Sequence, residues 1–148
     1  MDALTHAAVG AATGYAFGGV ILAGVGAVVA VLPDLPIWVG KRRATPPQGY
    51  IAAHSGLAIV AVLLLAVFQF YFRGALWETC ATISLAWVSH IVLDLPTHCK
   101  TWQPKLLYPF SNRVLFAKAR EWEWFDETWF MGFAIALTWI WICLDQLK

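Results

Sequence analysis

From Ala7 to Val31 the sequence carries no ionisable side chain except Tyr15, and from Leu57 to Phe72 none except Tyr71. Apolar runs of this length exceed what a strand or an ordinary core helix needs, and they approach or exceed bilayer thickness. Composition points the same way. Of 148 residues, 60% are hydrophobic and 13% charged, whereas a soluble domain is about half apolar and about a quarter charged. The excess faces lipid, so the expected fold class is an all-α integral membrane protein in a single membrane-embedded helical domain, residues 1–148. The first block is read as mature structure, because Asp2 stands where a signal peptide has its basic region.

Four apolar segments organise the chain: Ala7 to Val31, Gly56 to Phe72, Ala75 to Leu95 and Trp129 to Leu144. The second and fourth are short for a hydrocarbon core of roughly 30 Å. Aromatic residues at their ends, Phe68, Phe70, Tyr71 and Phe72 in one case and Trp122, Trp124 and Trp129 in the other, are suited to anchor them at the headgroups. Lys41, Arg42 and Arg43 lie in the first loop, and Lys100, Lys105, Arg113, Lys118 and Arg120 in the third, whereas the second loop has only Arg73. By the positive-inside rule the first and third loops are cytoplasmic. The long connection, residues 96–128, is expected in the cytoplasm or at the interface, with Glu121 to Trp129 as an amphipathic stretch.

Two function classes lose support at once. A net charge of +1 offers no footprint for nucleic acid. Three cysteines, Cys80, Cys99 and Cys143, have no paired spacing, so no disulfide framework is expected and the thiols read as buried.

Ionisable groups within or beside membrane helices are costly and usually mark a site. Asp34 follows the first block in Leu32-Pro33-Asp34-Leu35-Pro36. His54-Ser55 precedes the second, and His90 and Asp94 close the third, followed by Thr97-His98. In an up-and-down arrangement these ends meet at one membrane face. His90 and Asp94, four apart, share a side of a helix that Pro96 should end or kink just beyond. Imidazole and carboxylate are the usual donors for zinc, manganese or iron. The spacing alone also suits a buried hydrogen bond, but four candidate ligands from three segments at one depth favour a metal. Glu78, near the opposite end of the third segment, reads as interfacial.

His6 depends on the path of the first block. One straight helix from His6 to Asp34 would run about 42 Å and put His6 across the membrane. A hairpin broken at Gly18-Gly19 would give two arms of roughly 18 Å each and return His6 to the side of Asp34.

The chain resembles the membrane-bound metal-dependent hydrolases often called YdjM-like proteins. The resemblance is carried by Thr5-His6 with Gly10 and Gly14, Leu32-Pro33-Asp34, His54-Ser55, Ser89-His90-Ile91-Val92-Leu93-Asp94 with Thr97-His98, and Leu106-Leu107-Tyr108-Pro109-Phe110-Ser111. These pieces cover residues 5 to 116 in family order. The resemblance implies a small helical membrane protein with a metal-dependent hydrolase site, and it favours the hairpin. Two positions depart from the family pattern. Pro36 stands near where a second acidic residue is common, and Gly49-Tyr50-Ile51 where a His-Arg-Gly run is common.

The expected function is a hydrolase acting at the cytoplasmic headgroup level of a bacterial inner membrane on a phospholipid or another lipid-linked ester. Its divalent metal, zinc before manganese or iron, is expected on Asp34, His54, His90 and Asp94, with His6 and His98 completing one or two positions. Ser55 and Thr97 would orient ligands or cap helix ends, and Arg113 would bind an anion. The competing reading is a non-catalytic membrane protein that uses the cluster for structural ion binding, ion transport or partner docking. A further one is interhelical hydrogen bonding without metal. Membrane lipid and a small-molecule or lipid substrate are the expected partners.

Overall fold

The computed structural model describes residues 3–39, 45–98 and 101–114. The fourth apolar segment, the stretch Glu121 to Trp129, Cys99, Cys143 and the loop cations Lys41, Arg42, Arg43, Lys100, Lys118 and Arg120 lie outside them. Among the described residues the chain is helical with no strand: α1 (Ala3–Val31), a 3-10 turn (Leu32–Asp34), α2 (Leu35–Val39), α3 (Gln48–Ala53), α4 (Gly56–Arg73) and α5 (Trp77–Thr97). Three stretches, Ala3–Ile37, Gly56–Arg73 and Trp77–Thr97, are long and apolar enough to cross a membrane.

The first of these does not run straight. Gly18 (φ −166°, ψ 31°) and Gly19 (φ 67°, ψ −153°) break α1 into two arms. The Gly19 conformation is one that side chains with a Cβ scarcely adopt. Beyond it residues 20–31 return alongside residues 3–17. Gly10 faces the Gly26 carbonyl and Ala30, and Gly14 faces the Leu22 carbonyl, so closely that a Cβ at either position would overlap backbone. Small residues four apart permit this approach where lipid offers no hydrophobic drive to pack helices. The arms are about 22 and 18 Å long by helix rise, so the hairpin, and not one long span, is the form the first block takes.

Helix α4 begins with Ser55 as N-cap, its Oγ accepting from the Ala58 N–H at 3.1 Å. It ends at Gly74 in the left-handed region (φ 66°), where the Ala75 N–H donates to the Gln69 carbonyl. The turn sends α5 back antiparallel. Among the described residues helix α5 is the central element, packed against the α1 hairpin and against α4. Its buried residues include Thr82, Ala86, His90 and Asp94, a row at four-residue spacing that forms one helix face. Pro96 does not stop α5 at once, since the helix continues to Thr97. Helix α4 has no buried residue, and Leu57, Leu64, Phe68 and Phe72 among others are exposed, as a lipid-facing helix requires.

These connections bring four ends together: both open ends of the α1 hairpin, the start of α4 and the end of α5. At the far end Phe17, beside the hairpin turn, meets Trp77 edge to face with ring centroids 5.6 Å apart.

Candidate metal centre

Where those four ends meet, Asp34, His54, His90 and Asp94 are all buried and offer ligand atoms within 4.8 Å of one another. Their arrangement is dictated locally. Pro33 starts the 3-10 turn that carries Asp34 off the returning arm. His54 closes the short helix α3, which the sequence reading did not foresee, and Ser55 then starts α4. His90 and Asp94 are one turn apart on the buried face of α5.

Backbone carbonyls fix both imidazoles. His54 Nδ1 lies 2.9 Å from the Tyr50 carbonyl oxygen, and His90 Nδ1 bonds the Ala30 carbonyl. A carbonyl only accepts, so each Nδ1 carries a proton, and each ring turns its Nε2 inward, where a lone pair faces the cluster whenever the ring is neutral. The two Nε2 atoms are 2.9 Å apart. Asp94 Oδ2 lies 3.2 Å from His54 Nε2 and 3.1 Å from His90 Nε2. Asp34 Oδ1 stands 3.6 Å from both and has no hydrogen-bond partner.

Two imidazole Nε2 atoms and two carboxylate oxygens thus converge in a space largely shielded from water. Acceptors alone repel one another, and a buried unpaired charge is costly. A shared proton or a cation relieves this. Donors at 2.0–2.2 Å from a tetrahedral zinc are roughly 3.3 Å from one another, and the imidazole–imidazole and imidazole–carboxylate separations of 2.9 to 3.6 Å bracket that value. The nitrogen and oxygen donor set suits zinc, manganese or iron. The centre therefore fits a divalent transition ion.

The hairpin brings His6 to this end. His6 Nε2 lies 3.0 Å from Asp94 Oδ1, and its ring stacks on His90 with centroids 3.7 Å apart. His98, directly after α5, places Nε2 3.1 Å from the same oxygen. Ser55 and Thr97 spend their hydroxyls on backbone: Ser55 donates to the Ala52 carbonyl and caps α4, and Thr97 donates to the Leu93 carbonyl. Arg113 is exposed, on the segment after α5.

The sequence reading missed Tyr50 as a site residue. Tyr50 is 1% exposed and stacks on His54 at 3.8 Å, and its hydroxyl donates to the Trp102 carbonyl. It stands within the Gly49-Tyr50-Ile51 stretch, and an aromatic one turn before a candidate ligand was the available signal. The segment holding Trp102 is tied to the site again where Gln103 Nε2 donates to the Leu95 carbonyl and the Gly56 N–H donates to the Leu106 carbonyl.

Compared with known proteins, the chain matches a family model described as YdjM inner membrane protein over residues 1–146. No curated protein and no solved structure matches it.

Proposed function

The chain belongs to the YdjM inner membrane protein family, and on that premise we propose that it is a membrane-embedded metal-dependent hydrolase. Asp34, His54, His90 and Asp94 hold the ion, zinc before manganese or iron. The supporting observation is the convergence of two imidazole Nε2 atoms, whose rings commit Nδ1 to the Tyr50 and Ala30 carbonyls, with two carboxylate oxygens. A divalent ion there supplies a Lewis acid and makes a coordinated water more acidic.

The residues divide the work by burial. The side chains of His54, His90 and Asp94 are fully buried, whereas that of Asp34 is 11% exposed. Asp34 is therefore the ligand beside which substrate and water enter. Tyr50 and Ala30 hold the rings in one tautomer, which keeps the lone pairs aimed without reorganisation. Arg113 is assigned the substrate anion, because it is the exposed cation on the segment bonded to Tyr50 and Gly56.

The substrate proposed is a phospholipid or another lipid-linked ester. The cluster stands at the end of α4, which is apolar from Leu57 to Phe68 and has no buried residue, so its depth is that of lipid headgroups. The distribution of loop cations in the sequence supports a cytoplasmic position for this end. The complete burial of three ligands favours one second reading, an ion held for structure alone.

Purified protein reconstituted in liposomes separates these readings. Hydrolysis of lipid ester that stops on chelation, returns with zinc or manganese and is lost in His90→Ala supports the hydrolase. Retention of both bound metal and hydrolysis in His90→Ala would overturn it. Bound metal without turnover of any lipid ester leaves the structural ion.

A further inference from the structure

Asp94 is engaged on both of its oxygens, and the two oxygens face different partners. Oδ2 points to His54 and His90, at 3.2 and 3.1 Å, while Oδ1 points to His6 and His98, at 3.0 and 3.1 Å. Four imidazole nitrogens from three parts of the chain therefore surround one fully buried carboxylate. The first pair, with Asp34, makes the centre described above. Resting on that reading, we propose that His6, His98 and Asp94 Oδ1 hold a second divalent cation, so that the Asp94 carboxylate bridges two metal ions.

The arrangement of α5 makes this geometry natural. His90, Asp94 and His98 follow one another at four-residue spacing, so the carboxylate lies between two imidazoles along one line of the helix face and its end. His6 is delivered from another element altogether. Its position requires the glycine turn, with Gly19 at φ 67°, and the close seam of Gly10 and Gly14 against the returning arm. The ring then packs flat on His90, 23° from parallel. Both new donors are nearly or fully shielded, with His6 0% and His98 4% exposed. Neutral imidazole and a carboxylate oxygen are the donor types expected for zinc or manganese.

A carboxylate bridge holds paired metals roughly 3.5–4 Å apart, the separation at which two ions clamp both the entering and the leaving oxygen of a phosphoryl group. Charge agrees with that substrate class. Two divalent ions against the two carboxylates of Asp34 and Asp94 leave the centre net positive, and a phosphoester anion restores balance. The second position thus narrows the lipid-linked ester to a phosphoester.

The test is titration of metal-free, detergent-solubilised full-length protein with Mn2+, read by bound stoichiometry and by electron paramagnetic resonance. Wild type is expected to take roughly two equivalents and to give the signal of an exchange-coupled pair. His6→Gln and His98→Gln, the latter at the edge of the site where folding is least at risk, are expected to keep roughly one equivalent with an uncoupled signal. A single uncoupled equivalent in wild type, unchanged in both variants, overturns the second position and leaves the first centre standing. Absence of any bound Mn2+ or Zn2+ in wild type overturns both.

Discussion

The best membrane-length windows of Ala3–Ile37 and Gly56–Arg73 are almost equally apolar, with mean hydropathy 2.2 and 2.0, yet the chain takes opposite paths through them. Gly56–Arg73 is one uninterrupted helix, about 27 Å long by helix rise. The first stretch folds back at Gly18 and Gly19 and ends on the side where it began. Hydropathy reports the solvent that a segment faces and carries no information about its direction. Direction is set by the glycines, one supplying a backbone conformation and the others the space for two arms to touch. The consequence is functional, because the hairpin presents His6 and Asp34 to α5 at one face.

The comparison is broken most directly by accessibility labelling. In a chain with Cys80, Cys99 and Cys143 replaced by alanine, single cysteines at Leu4, Phe110 and Leu76 occupy exposed positions at the two ends. A membrane-impermeant thiol reagent should label Leu4→Cys and Phe110→Cys from the same side and Leu76→Cys from the other. Labelling of Leu4→Cys together with Leu76→Cys would return the first block to a single crossing and remove His6 from the centre.

Gly14→Leu tests the seam. Its side chain would meet the Leu22 and Ala23 backbone, which cannot move aside as a side-chain tip can. A loss on the order of 3 kcal/mol is expected in detergent unfolding, at the upper end of overpacking costs. Gly19→Ala meets no neighbouring atom but must adopt φ 67°, so it should lose about 1–3 kcal/mol through backbone strain alone. In α4 the matching change is nearly silent. Leu64 is 64% exposed on the lipid-facing helix, and Leu64→Ala should change stability by no more than about 0.5 kcal/mol. Equal costs at Gly14 and Leu64 would erase the distinction between the two segments.

Much of the candidate site was legible because charge is rare in this sequence. Asp34, His54, His90 and Asp94 stand at the ends of apolar runs, and connectivity alone carries those ends to one face. The i, i+4 pair on α5 needed only helix geometry. The hairpin was half legible: Gly18-Gly19 marks a break, but whether the arms close depends on Gly10 meeting Gly26 and Gly14 meeting Leu22, contacts between positions that no local pattern links. What fixes the imidazoles was not legible at all. The acceptors for His54 and His90 are the backbone carbonyls of Tyr50 and Ala30, and a carbonyl leaves no mark in the identity of its residue. Tyr50 itself looked like an ordinary aromatic until its ring lay on His54.

The central claim is that the inward lone pairs at the end of α5 hold a cation. Elemental analysis of protein purified without chelator, wild type beside folded His54→Ala and His90→Ala, tests it most directly. The account predicts stoichiometric zinc, manganese or iron in the wild type and its loss in both variants. Metal-free wild type that stays metal-free after reconstitution with these ions would contradict it, and would leave the cluster as a hydrogen-bonded network joining the helices.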